Sequence, residues 1–318
     1  GPLFAGAIVV VGIMVVVSVA TAPILPPWNI DDNSILKYGL LISGYTAASL
    51  SRTGMNTKKD RFRSQFGIDP AAVIACLKDL EVEGMAPGPL LKEFFMALNW
   101  LRQYPTSRKL GLDWNLYEDV AASKAQRWMK AIAHLRDAKV VFEGFDENET
   151  WLLYVDGVHF KIHEVRTDPS TKWYSHKSHG PGLGYEFGLA IRRDVLVWFR
   201  GSLQDESNYA SEHDLTKFRG GSVKDGKDTW RLDSLYNALP PGKKAIGDSG
   251  YVGEEDKITV LRDAHSPELK QFITRAKSRQ EAYHTHLKSF KILAKHFQHD
   301  IHLHETCLAA VLLVQYDM

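Results

Sequence analysis

Apolar positions along the first half of the chain recur at helical spacing. From about Asp31 to Arg136 the pattern predicts helices throughout. Asp69-Pro70 supplies an N-cap and a first-turn proline ahead of AAVIACLKDL. Between Pro89 and Pro105, residues Leu90, Leu91, Phe94, Phe95, Leu98 and Leu101 form one apolar face. DWNLYEDVAAS and SKAQRWMKAIAHLRDA follow as two short amphipathic helices, an order compatible with a helix-turn-helix. Trp128 and Leu135 are expected in the core of this unit, whose competing reading is a generic helical bundle with solvated cations.

From Thr150 the texture changes to strands. WLLYVDGVHFKIHEV, YEFGLAIRR and VLVWFRGS are rich in β-branched and aromatic residues, and the Arg193-Asp194 turn suggests that the last two form part of an antiparallel meander. A polar stretch from Leu203 to Asp228 predicts one helix plus loop. KKAIGD and KITVL then predict two further strands, and Ser266-Pro267-Glu268 opens a long final helix. The expectation is an α/β domain at 150–318, a mixed sheet flanked by helices, preceded by an all-helical region at 31–149.

Residues 1–30 stand apart. Leu3 to Leu25 is a charge-free, Val-rich run of 23 residues, long enough to cross a bilayer as a helix. The other readings are a buried helix or an artefact of the assigned coding start. A membrane-anchored location would rest on this run alone.

The composition, 44% hydrophobic and 24% charged over 318 residues, is that of a globular chain, and a net charge of +1 excludes a uniformly basic coat protein. Local basic clusters exist nonetheless, around Arg52 to Arg63 and along the helix that carries Arg275, Lys277, Arg279 and Lys288. Cys76 and Cys307 are too few for a disulfide framework and have no metal-ligand spacing, so both are read as buried thiols.

Three acids occupy settings that suit one chemistry. Asp156 lies in the strand YVDGVHF, Asp248 follows the strand KKAIG, and Glu281 sits in the final helix. Carboxylates at a sheet edge, with a third brought in by a helix, can hold divalent metal ions against a phosphodiester. The plain alternatives are a turn role for each Asp before a glycine or serine and an ion pair of Glu281 with Lys277 or Lys288. Asp205 in GSLQDES is a further supporting candidate, its ordinary reading being a helix cap. His296, His299, His302 and His304 crowd one stretch but match no zinc pattern. His159, His163, His176 and His179, with Lys172 and Lys177, lie where they could position a phosphate backbone.

The segments YVDGVHFKI, SHKSHGPGLGYEFGLAI, VLVWFRGSLQDES, KKAIGDSGYVG, SRQEAYHTHLKSFKIL and CLAAVLLVQYDM resemble, in order, the DDE superfamily endonuclease domain of Harbinger-like transposases. The resemblance covers about Thr150 to Met318. It implies a ribonuclease H-like fold, a two-metal site using Mg²⁺ or Mn²⁺, and cleavage or joining of DNA strands. Metal ligation and catalysis then fall on Asp156, Asp248 and Glu281, with Asp205 and His284 in support. DNA contacts fall on Lys177, Arg275, Lys277, Arg279 and Lys288, and on Lys124 and Arg127 of the helix-turn-helix-like region. His284 stands where the family commonly has Asn, which motivates the alternative of a domesticated, catalytically silent DNA-binding protein. The implied partners are transposon ends and target DNA, with a homo-oligomer as a further expectation. The implied location is the nucleus in a eukaryote, or the cytoplasm and nucleoid in a bacterium.

Overall fold

A computed structural model describes residues 31–82, 90–163, 171–201, 210–295, 297 and 303–318. The hydrophobic segment at 3–25, Asp205, His296, His299 and His302 lie outside these. Among the described residues no helix is long and apolar enough to cross a membrane.

Among the described residues eight helices precede the sheet: α1 (Asp32–Ile42), α2 (Ala47–Ser51), α3 (Met55–Phe66), α4 (Pro70–Val82), α5 (Leu91–Gln103), α6 (Ser107–Trp114), α7 (Glu118–Ala133) and α8 (Arg136–Lys139). The second half adds β1 (Trp151–Lys161), β2 (Tyr174–Ser175), β3 (Gly180–Ala190), β4 (Leu196–Arg200), α9 (Asp214–Arg219), α10 (Leu235–Ala238), β5 (Lys244–Gly247), β6 (Ile258–Val260), α11 (Pro267–Ser289), α12 (Lys291–Ala294) and α13 (Leu303–Tyr316). The expected strands and the Ser266 cap are present, Ser266 Oγ accepting from Leu269 N at 3.1 Å.

Two boundaries differ from the sequence expectation. The break before α7 falls at Asn115, whose left-handed backbone (φ 55°) ends α6, and not near Ser123. Glu118 and Asp119 then open α7, where acids suit the positive end of the helix. The helical stretch from Ser266, whose pattern runs on to Phe297, stops at Phe290, whose extended backbone (ψ 111°) separates α11 from α12.

β1 is the centre of a mixed sheet. It pairs antiparallel with β3 and parallel with β5, β6 adds parallel to β5, and β4 and β2 both pair antiparallel with β3. Because β1 is covered on both faces, it reads as an apolar run rather than an alternation. One face packs on α9 and α10 through Leu153, Val155, Phe218, Leu235 and Tyr251. The other meets α11, where Tyr154 and Ile246 pack with Ile273 and Ala276.

The helical region shares its core with the α/β half. Phe94, Trp128 and Ile132 belong to the same buried cluster as Phe160, Phe187, Leu287, Leu312 and Leu313. Polar ties accompany the packing: Asp69 N donates to Asp317 Oδ1 at 2.7 Å, Arg63 pairs with Asp317 at 3.0 Å, and Arg102 donates to Ser289 O at 2.5 Å. Trp128, Leu135, Cys76 and Cys307 are buried as expected, and neither cysteine is in a disulfide.

Candidate functional site

The parallel pairing of β1 and β5 sets the site. Tyr154 stands beside Ile246, so two residues on, Asp156 comes beside Asp248, the first residue past the end of β5. Asp248 caps the tight turn Ser249–Tyr251, its Oδ1 accepting from Gly250 N at 2.8 Å. A short polar side chain before Ser-Gly favours that cap, and the cap holds the carboxylate at the sheet's edge.

A third carboxylate arrives from α9, and the sequence reading missed it. Asp214, the first residue of α9, lies over Gly157: a β-carbon on Gly157 would stand 2.2 Å from Asp214 Oδ1. A β-carbon on Gly250 would be 3.0 Å from Asp248 Oδ1 and 3.1 Å from Asp214 Oδ2, so these two acids are close neighbours. Lys177 bridges the group, its Nζ donating to Gly157 O at 3.0 Å and pairing with Asp214 Oδ2 at 3.1 Å. The only sequence signal was an acid opening HDLTKFR, which ordinarily marks a helix start.

Burial pushes the Asp156 carboxyl up to about 6, and Asp248 and Asp214 push the same way against Lys177 and the Gly157 N–H. The Tyr154 hydroxyl is likewise driven upward, first by burial and then by Asp156, Asp248 and Glu281. A cation would relieve this repulsion. Among the described residues, however, no three His, Cys, Asp or Glu side chains converge as a ready ion cage.

α11 brings His284, rather than Glu281, against Asp156. His284 Nδ1 lies 3.4 Å from Asp156 Oδ2, while the Glu281 side chain is 62% exposed and pairs with Lys277 at 3.7 Å. The ring of His284 is fixed by Gln280, whose Nε2 is 3.0 Å from His284 Nε2 and 3.5 Å from Phe187 O. An amide NH₂ only donates, so His284 Nε2 accepts and Nδ1 carries the proton toward the carboxylate. Burial holds this imidazole neutral by lowering its pKa to about 3, with Lys288 and Lys177 adding to the effect.

Asp156 opens into a cleft of about 550 Å³ lined by Lys161, Lys177, Lys288, His159, His179 and His284 among others. Of the expected DNA-contacting cations, Lys177 and Lys288 therefore face one space with Asp156. Arg275 is exposed on α11. Lys277 is paired with Glu281. Arg279 is spent on the β3–β4 turn, donating to Ile191 O at 2.5 Å and Arg193 O at 2.7 Å and pairing with Asp194 at 2.5 Å. Lys124 and Arg127 both reach Glu93 of α5.

A charged layer lies buried between α9 and the sheet. Gly157, Glu186 and Arg200 form one row across β1, β3 and β4. Glu186 accepts from Trp198 Nε1 at 2.7 Å, and burial raises its carboxyl to about 7. Lys217 sits over Gly184, where a β-carbon would be 2.0 Å from its Nζ and 3.3 Å from His159 Nε2. His159 is held by Ser175 Oγ at 2.6 Å, and burial followed by Lys217 and Lys177 lowers its pKa to about 3.

The chain matches no family model, no curated protein and no solved structure in comparisons with known proteins.

Proposed function

We propose that the chain cleaves and joins DNA phosphodiester bonds with divalent metal ions, as a DDE-type transposase or transposase-derived endonuclease. The observation that carries this reading is that Asp156, Asp248 and Asp214 come close to one another where β1, β5 and α9 meet, with Asp156 lining a lysine-rimmed cleft. An antiparallel meander continued by two parallel strands, with helices on both faces, also suits the ribonuclease H-like unit expected for residues 150–318.

The half-buried Asp156 and the acids beside it would draw a cation, and their hard oxygens suit Mg²⁺ or Mn²⁺. Asp156, Asp248 and Asp214 would hold the ions, with Glu281 as the expected further ligand. When bound, the ions supply the charge that activates a water or 3′-hydroxyl and stabilises the leaving 3′-oxygen. Lys177 keeps Asp214 in place through its ion pair, and Lys177, Lys161 and Lys288 attract the phosphate backbone into the cleft.

A second reading, a silent DNA-binding descendant, is favoured by one observation: Glu281 faces solvent while His284 takes the side of Asp156. Nicking of supercoiled plasmid in Mg²⁺ or Mn²⁺ separates the two. The enzyme reading expects nicking by wild type and its loss in Asp156→Asn. Equal nicking, or none, by both proteins would remove that reading.

A further inference from the structure

We propose that the cleft along the outer edge of β4, between Arg136 and Arg200, is a phosphate-binding site separate from the cleft at Asp156. The two clefts share no lining residue, so the inference goes beyond the DNA-cleavage reading and stands without it.

Three observations carry it. First, the guanidinium of Arg200 is short of partners. Its side chain is 8% exposed and lines the cleft, yet of its three nitrogens only Nη1 is hydrogen-bonded, to Lys217 O at 3.2 Å, while Nε and Nη2 have no partner. A buried guanidinium normally satisfies its donors, and its planar fork matches the oxygens of a phosphate. The acids nearby do not fill this role. Asp233 Oδ1 stands 3.6 Å from Nη2, beyond hydrogen-bond reach, and Asp233 already accepts from Nε and Nη2 of Arg231 at 3.1 and 2.9 Å. Glu186, the strand neighbour of Arg200, accepts from Trp198 instead.

Second, two more donor side chains line the same space. Arg136 of α8 is anchored by donation to Phe199 O at 3.1 Å, and its pair with the exposed Asp137 is a weak surface contact. His304 of α13 lines the cleft as well, its Nδ1 buried without a hydrogen-bond partner and its ring stacked on Tyr185. Third, the space is about 460 Å³ and is walled in part by Trp198, Phe199 and Ala238, apolar groups that strengthen a charge interaction. Donors arriving from three separate elements, β4, α8 and α13, suit the tetrahedral oxygens of a phosphate better than the flat pair of a carboxylate.

The test is titration of the full chain with inorganic phosphate, read by calorimetry and by melting temperature, with chloride at matched ionic strength as the blank. Wild type should bind phosphate and melt at a higher temperature in its presence. Arg136→Gln and Arg200→Gln should each lower the affinity by roughly tenfold or more, and Lys288→Ala, which alters only the Asp156 cleft, should keep this binding. If Arg200→Gln does not fold, Arg136→Gln decides, because that side chain is 45% exposed. Duplex DNA added to phosphate-loaded Lys288→Ala identifies the source of the phosphate: displacement assigns the site to a nucleic-acid backbone, and undisturbed binding assigns it to the free ion. No phosphate binding by wild type, or equal affinity in wild type and a folded arginine variant, would overturn the site.

Discussion

The Asp214 carboxylate fills the place that a side chain on residue 157 would take, with Oδ1 2.2 Å from the ideal β-carbon position. α9 can approach β1 this closely only because the residue after Asp156 is glycine. Gly157→Ala should therefore push Asp214 away, weaken its 3.1 Å pair with Lys177, and cost about 1–3 kcal/mol in stability. Urea unfolding measures the stability, and Mn²⁺ titration measures the site. An alanine variant with unchanged stability and metal affinity would contradict the close docking of α9.

Asp156 should be a liability to the folded chain without metal. Burial lifts its carboxyl from the ordinary 3.8 to about 6 in the folded chain, so the stability its protonated form contributes is present below about pH 4 and lost as pH rises to 6. His159 and His284, lowered to about 3 from 6.5, act in the opposite sense: their contribution is present above pH 6.5 and lost as pH falls. Asp156→Asn removes only the first effect. It should raise stability at pH 7 by on the order of 2 kcal/mol and steepen the acid-side loss between pH 6 and 4. Equilibrium unfolding at pH 4.5 and 7 checks this, and an Asn variant less stable than wild type at pH 7 would refute it.

Much of this arrangement could be read from the residues. The strand at Asp156, the strand before Asp248 and the capped start of α11 follow from local pattern and turn chemistry, and the structure has all three. Asp214 could not be read, because its partnership with Asp156 depends on a helix crossing a glycine, a tertiary fact with no local signature. Lys288 and Arg279 looked alike for a similar reason. Both are cations on α11, but Lys288 lines the cleft while Arg279 turns to the β3–β4 hairpin. The apolar run of α13 joins the N-terminal helices in one core, again a tertiary fact.

That division between cations is itself testable. Lys288→Ala should weaken DNA binding and reduce the slope of log affinity against log salt by roughly 0.9, with folding intact. Arg279→Ala should instead destabilise the chain, since it frees the carbonyls of Ile191 and Arg193. Fluorescence anisotropy across a salt series, paired with thermal melts, distinguishes them. An unchanged slope for Lys288→Ala would show that it makes no phosphate contact.

Arg127→Ala is expected to change stability more than affinity, because its guanidinium pairs with Glu93 at 2.5 Å and that carboxylate also holds Lys124. The same two assays apply. A large loss of DNA affinity with unchanged melting would return α7 to the DNA-binding surface.

Single-turnover cleavage of duplex DNA in Mn²⁺, comparing wild type with Asp156→Asn, Asp248→Asn and Asp214→Asn, tests the central claim most directly. The three carboxylates are neighbours where β1, β5 and α9 meet, and Asp156 lines the cleft. Each variant should fold and bind DNA yet cleave at least about a hundredfold more slowly, as loss of a charge-stabilising group at a reacting centre does. Cleavage by any of the three at the wild-type rate, or no metal-dependent cleavage by wild type, would contradict the account.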